Sequence, residues 1–104
     1  MGVRVAQALN YPMVSRYMSL DDEHYIVKID IPEKLKGINL YGIMQQAPQV
    51  KTLLVKRQQQ ILFETEETFT LQTHDILILE GHLQQLKKTL KLFHIRKRTR
   101  KYVS

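Results

Sequence analysis

Residues 24–32 read His-Tyr-Ile-Val-Lys-Ile-Asp-Ile-Pro, and this stretch decides the fold. Its apolar residues recur at every second position, as they do in a strand with one buried face: Tyr25, Val27, Ile29 and Ile31. Pro32 has no backbone N–H to give to a ladder, so it closes the run. The stretch therefore predicts a half-buried β-strand.

Further strands and helices follow along the chain. Residues 76–79 are four consecutive apolar β-formers, which indicates a strand covered on both faces. Residues 51–57 and 61–64 flank the polar triplet 58–60 and predict a hairpin, and residues 38–44 predict a short helix. Beyond Gly81 one helical stripe predicts a helix over 82–94: Leu83, Leu86, Leu90 and Phe93.

The segment before residue 24 carries weaker signals. Residues 3–10 have apolar residues at helical spacing, and residues 13–20 are interpreted as another helical turn or two after Pro12. Together these patterns predict an α+β fold, with a mainly antiparallel sheet of four to five strands, a C-terminal helix and short flanking helices.

Composition sets the class of protein. The chain has 104 residues, 43% of them apolar and 25% charged, which is ordinary for one globular domain. It has no cysteine, no apolar run near the ~20 residues of a membrane span and no secretory signal pattern at its start. We therefore expect a cytoplasmic protein.

The net charge of +6 is unevenly distributed. Residues 1–86 hold 8 Lys or Arg and 10 Asp or Glu, whereas residues 87–104 hold 8 Lys or Arg and no acid. A charge block at one end indicates a basic tail rather than a basic face of the fold. It leaves open an alternative function, in which the tail binds nucleic acid or an anionic surface.

The residue pattern argues against a self-contained enzyme. The four glycines are too scattered for a phosphate-binding loop, the serines lie in no recognisable nucleophile motif, and the clustered acids look like solvated turns. No two histidines have metal-ligand spacing, so no metal is expected; such a site would need His74–Asp75 and His82 to converge around the last strand. An enzyme with an unrecognised site is the third possibility.

The order of these elements resembles a known family, the C-terminal domain of the regulators of potassium conductance, also called the TrkA C-terminal domain. The residues that carry the resemblance are 29–40, with their Pro-x-x-x-x-Gly phrase, 53–57 and 70–81, followed by the helix with Leu83, Leu86 and Leu90. The resemblance implies an N-terminal helical linker at 1–23, a regulatory domain at 24–94 and a basic tail at 95–104.

The resemblance also implies a function. Such a domain would be a cytosolic homodimer that senses a ligand and helps gate a membrane potassium transporter or channel. In some relatives the ligand is cyclic di-AMP, bound between two protomers, and no other cofactor is implied. Nucleic acid is not an expected partner in this reading.

A dinucleotide would lie near one end of the short helix and the following strand. The expected site residues are Ile43, Met44 and Leu53 as apolar walls and Gln45, Lys51 and Arg57 as polar contacts. Lys51 and Arg57 are six apart on one predicted strand, so they should share a face about 20 Å from each other. Relatives that bind the dinucleotide tend to have Arg where Gln45 stands, so we expect weak or absent cyclic di-AMP binding.

Overall fold

The computed structural model describes residue 5 and residues 7–103, with side chains described as far as His94. The strands are β1 (Val14–Ser19), β2 (His24–Asp30), β3 (Lys51–Arg57), β4 (Gln60–Leu62) and β5 (Ile76–His82). The helices are a 3-10 turn (Glu33–Leu35), α1 (Leu40–Gln45) and α2 (Leu83–Val103). The predicted α+β class is confirmed.

All five strands form one antiparallel sheet in the order β1-β2-β5-β3-β4. The deciding stretch becomes β2, which pairs along its whole length with β5, from His24 opposite His82 to Asp30 opposite Ile76. The predicted hairpin is confirmed as β3 and β4, joined by a tight turn in which Gln58 has a φ of 57°. The last strand in sequence is therefore the central strand in space.

One face of this sheet, called here the closed face, carries the core. Its central side chains are fully buried: Val27, Ile29, Val55, Leu77 and Leu79. They belong to one apolar cluster with Leu40 and Ile43 of α1 and with Leu86, Leu90 and Phe93 of α2. Both helices therefore lie on this side, as the helical stripe predicted.

The opposite side, called here the open face, is apolar at its centre but no described helix covers it. Strand register places there Ile26, Lys28, Leu54, Ile76 and Ile78, all of them half-buried. The expectation that residues 76–79 are covered on both faces is therefore wrong for this single chain. An unbroken apolar run in the sequence indicates that both faces of the strand are apolar. It does not show what covers each face.

The interpretation of residues 13–20 as helix is wrong, because they contain β1. This strand lies at the sheet edge and pairs antiparallel with β2, with an irregularity between Val14 and Arg16. Five of its six residues are exposed, so the strand lacks the alternation that reveals a half-buried one. Of the predicted helix at 3–10, residues 5, 7 and 8 are helical and Val3 lies outside the described residues.

The last helix is longer than predicted. Its expected end was residue 94, but the helical backbone of α2 continues to Val103, through the basic segment. Apolar periodicity marks the part of a helix that packs, which among the described side chains reaches Phe93, and it does not mark where the helical backbone ends. Among the described residues, no helix is long and apolar enough to cross a membrane.

Candidate functional site

The end of α1 positions the first group of predicted site residues. Asn39 caps this helix, since its side-chain oxygen accepts a 2.7 Å hydrogen bond from the backbone N–H of Gly42. Ile43 points into the core and is fully buried, whereas Met44 is half-buried and Gln45 is exposed. Ile43 therefore packs in the core below the candidate site, whereas Met44 and Gln45 are accessible to solvent.

The loop after α1 is held against β5 at a glycine. A Cβ at Gly81 would meet Val50 Cγ2 at 3.3 Å, which is tighter than ordinary packing, and the Gln49 carbonyl oxygen at 3.5 Å, which is an ordinary contact. The absence of a side chain at Gly81 lets this loop approach the sheet closely. Lys51, the next residue, begins β3 opposite Glu80 and is exposed.

An irregularity in β3 separates the two predicted basic contacts. Thr52 pairs with Leu79 while Leu54 pairs with Ile78, so Leu53 is an extra residue and the strand changes face there. Lys51 therefore lies with the open face and Arg57 with the closed face. The expectation that they share a face is wrong, because a single inserted residue reverses a period of two.

Arg57 makes an ion pair inside the protomer. Its Nε donates to Asp75 Oδ1 at 3.0 Å and its Nη2 to Asp75 Oδ2 at 2.7 Å, and the same nitrogen donates to the Thr70 carbonyl at 2.9 Å. Its guanidinium also lies 4.6 Å from the centre of the Phe69 ring. The hydrogen bonds to Asp75 raise the pKa of Arg57. Arg57 is thereby engaged in fixing the turn that precedes β5.

Asp75 is a residue whose role sequence reasoning missed. Its carboxylate is buried and also accepts a 2.8 Å hydrogen bond from the backbone N–H of Gln72. A buried carboxylate needs such partners because leaving it unpaired is costly. The sequence shows Asp75 at the start of an apolar strand, but nothing in the spacing links it to Arg57, 18 residues earlier.

Five of the six predicted residues are exposed or half-buried, and four of these lie apart from the Arg57 ion pair: Met44, Gln45, Lys51 and Leu53. They belong to two consecutive elements, the end of α1 and the start of β3. Within the described residues the Lys51 ammonium has no hydrogen-bond or ion-pair partner. This group has one cation and two apolar side chains, which suits one phosphate and part of a base better than a whole dinucleotide.

Beside this group lies a polar cleft of about 500 Å³, whose lining includes Gln49, Glu80, His24 and His82. The two imidazoles are directly opposite each other on β2 and β5, with ring centres 5.7 Å apart. His82 Nδ1 accepts a 3.1 Å hydrogen bond from the backbone N–H of Gln84 at the start of α2. This nitrogen therefore carries no proton and serves as a helix cap.

His24 is held by the turn between β1 and β2. Its Nδ1 lies 3.0 Å from Asp21 Oδ1, and that same oxygen accepts 2.8 Å hydrogen bonds from the backbone N–H groups of Glu23 and His24. These bonds, with the backbone ones contributing most, lower the pKa of Asp21 to about 2. The carboxylate stays ionised and keeps the imidazole in one orientation.

The histidines do not assemble as a metal site would require. His74 precedes β5 and His82 is its last residue, so the two lie at opposite ends of the strand and the convergence considered from the sequence is wrong. His82 pairs instead with His24, which strand register alone brings near it. Among the residues that the structure describes, no three His, Asp or Glu side chains are placed to hold a metal ion.

With this geometry in place, comparison with known proteins becomes informative. The chain is 28% identical over 89 residues to "Ktr system potassium uptake protein A" of Bacillus subtilis (strain 168), which covers 85% of the chain and 40% of that protein. The chain therefore spans about two fifths of the length of this curated relative. No family model matches the chain.

A solved structure supports the same relationship. The fold matches the RCK C domain of the potassium transport protein KtrA, solved in complex with cyclic di-AMP, with a TM-score of 0.57 and 26% identity. The match covers 88% of this chain and 98% of that domain. The chain therefore has the fold of an RCK C domain and resembles that domain in sequence. Both similarities connect it with potassium transport regulators.

Proposed function

We propose that this chain is a ligand-sensing, dimerising regulatory domain of a potassium transport or channel system. The observation that carries the proposal is the joint similarity in sequence and fold to KtrA, over 85% and 88% of the chain. In this role the domain acts in the cytoplasm, as a subunit or part of a subunit attached to a membrane transporter, and performs no catalysis of its own.

The open face is the surface through which two copies would associate. Its apolar centre is half-buried in one chain, and Met18 and Ile61, which register assigns to the same face, are 57% and 51% exposed. Lys28 and Lys56 lie on this face together with Glu80. A two-fold axis would pair such a mixed surface with itself, apolar centre to apolar centre.

Dimerisation gives the domain a means of signalling. A ligand that touches both protomers at the end of α1 and the start of β3 stabilises the dimer geometry to which it binds more tightly. That geometry is transmitted to the transporter as a coupling free energy between the two sites. The accessible Lys51 of each protomer would contact one of two phosphates in a symmetric dinucleotide.

The effector we test first is cyclic di-AMP, because the matching RCK C domain was solved with it. Gln45 supplies no positive charge, and a charged hydrogen bond is worth about 1.5–3 kcal/mol, or roughly 10- to 150-fold in affinity for each subunit. We therefore expect binding that is weak or absent in the natural sequence.

Titration calorimetry of cyclic di-AMP into the full chain tests both the ligand and its placement. Gln45→Arg should raise the affinity, and Lys51→Ala should abolish the gain. Lys88→Ala is the control, an exposed lysine on α2 and away from the open face. Submicromolar binding by the natural chain would contradict the weak-binding expectation, and Lys51→Ala binding as tightly as the control would contradict the placement.

A second candidate function is supported by the extent of α2. The backbone stays helical to Val103, through the segment in which the chain concentrates its basic residues, and Lys87, Lys88 and Lys91 are exposed on the same helix. A basic helix of this kind binds nucleic acid or an anionic surface through its charge. Polynucleotide affinity that falls steeply and linearly on a log–log plot against salt would support it; affinity insensitive to salt would exclude it.

A further inference from the structure

A second concavity lies away from the open face and from the α1 and β3 residues. It is a crevice of about 630 Å³ between residues 11–13, residues 30–35, His74 and the helix positions 93–94. Its accessible apolar lining comes from Tyr11, Met13 and Pro32, whereas Ile31, Leu35 and Phe93 are fully buried behind that lining. A concavity of this size with an apolar lining is suited to a small organic molecule.

The rim of the crevice carries two carboxylates that make no structural hydrogen bond or ion pair within the described residues. Asp30 and Glu33 are exposed, and within the described residues neither side chain has a hydrogen-bond or ion-pair partner. Asp21 and Asp75, in contrast, accept hydrogen bonds that shape turns. With Lys34 also on the rim, the formal charge there is negative in a chain that is positive overall. The rim therefore favours a cation.

Aromatic rings border the same crevice. The Tyr11 ring lies 6.1 Å from the His94 ring, tilted by 56°. A phenol ring of this kind attracts a positive group over its face, and it also packs against apolar atoms. The ring pair thus suits a ligand that is both cationic and partly apolar.

His74 is a further rim residue, with an unusual backbone. Its φ is 73°, in the left-handed region that favours glycine and that histidine adopts more readily than bulky residues do. The backbone N–H of His74 donates to the Ile31 carbonyl at 2.9 Å, which fixes this turn against the end of β2. The exposed His74 side chain is thereby held at the rim of the crevice.

We propose that this crevice binds a small organic cation with an apolar body. The apolar part packs on Tyr11, Met13 and Pro32, and the ammonium lies beside the carboxylates of Asp30 and Glu33. The ligand class follows from the apolar lining and from the charge of the rim. The proposal is independent of the regulatory function and of the cyclic di-AMP site.

Nuclear magnetic resonance titration of the full chain with phenethylammonium tests this proposal. We expect saturable shifts at the amides of Ile31, Lys34, His74 and His94, with a dissociation constant on the order of 1 mM for so small a probe. The neutral analogue 2-phenylethanol, which has the same ring and nearly the same size, should bind at least about tenfold more weakly, a factor that one lost charged contact supplies.

Two double variants separate the site from general charge effects. Asp30→Asn with Glu33→Gln should weaken phenethylammonium binding at least about tenfold, while Glu66→Gln with Glu67→Gln, which removes the same charge from an exposed turn, should leave it unchanged. Circular dichroism of both variants checks that the fold is kept. Shifts scattered over the surface, equal binding of the neutral probe, or equal loss in the two variants would each overturn the proposal.

Discussion

The two faces of the sheet are built from the same strands but differ in how deeply their side chains are buried. On the closed face Val27, Leu77 and Leu79 are fully buried beneath α1 and α2, whereas on the open face Ile26 and Ile78, their neighbours in sequence, are half-buried. The two faces are similarly apolar at their centre, so composition does not distinguish them. The difference is that α1 and α2 cover the closed face, whereas no element of the described residues covers the open face.

The largest expected change in stability distinguishes two adjacent residues of β5. Leu79→Ala removes a fully buried side chain and leaves a cavity, so it should lower the free energy of unfolding by about 2–5 kcal/mol. Ile78→Ala removes a half-buried side chain and should cost roughly 1 kcal/mol in the separated chain. Urea unfolding at low protein concentration measures both. Equal losses would show that the faces do not differ as described.

The next largest expected change in stability distinguishes the two ends of β3. Arg57→Ala leaves the buried Asp75 carboxylate without its ion pair and should destabilise the fold by about 2–4 kcal/mol, less than the full effect of a deeply buried pair because Arg57 is 33% exposed. Lys51→Ala, on the open face, should change stability by less than about 0.5 kcal/mol. Thermal unfolding of the two variants decides this, and a stable Arg57→Ala would show that the pair is dispensable.

The smallest effect concerns the end of α2. Deleting residues 96–104 should leave the thermal stability nearly unchanged, because the sequence of this segment has no apolar period with which to pack on the fold. Differential scanning calorimetry of the shortened chain is the measurement. A loss above roughly 2 kcal/mol, the scale of a buried side chain, would show that this segment packs on the fold.

The sequence predicted those elements whose side chains meet two different environments. The alternation in β2 and the stripe from Leu83 to Phe93 each have one buried and one exposed side, so each leaves a readable period. The edge strand β1 has no such contrast and was interpreted as helix. The face of the sheet on which Arg57 lies was predicted wrongly. The extra residue at Leu53 reverses the alternation of faces, and nothing in the composition of the strand indicates it.

The candidate sites were harder to predict than the fold. Met44, Gln45, Lys51 and Leu53 are consecutive enough along the chain for local reasoning to group them, and they are accessible. The pairs His24 with His82 and Arg57 with Asp75 join residues distant in sequence, and register or turn geometry brings them together. The carboxylate-rimmed crevice is lined by residues from four separate segments of the chain, and no short sequence motif predicts such an arrangement.

Sedimentation of the full chain at micromolar concentration, beside Ile78→Lys, is the most direct test of dimerisation through the open face. We expect the natural chain to be a dimer and the variant to be a monomer, since an unpaired charge at the centre of the open face would be buried in the interface. Circular dichroism confirms that the variant is folded. A natural chain that sediments as a monomer, or a folded variant that remains a dimer, would contradict this expectation.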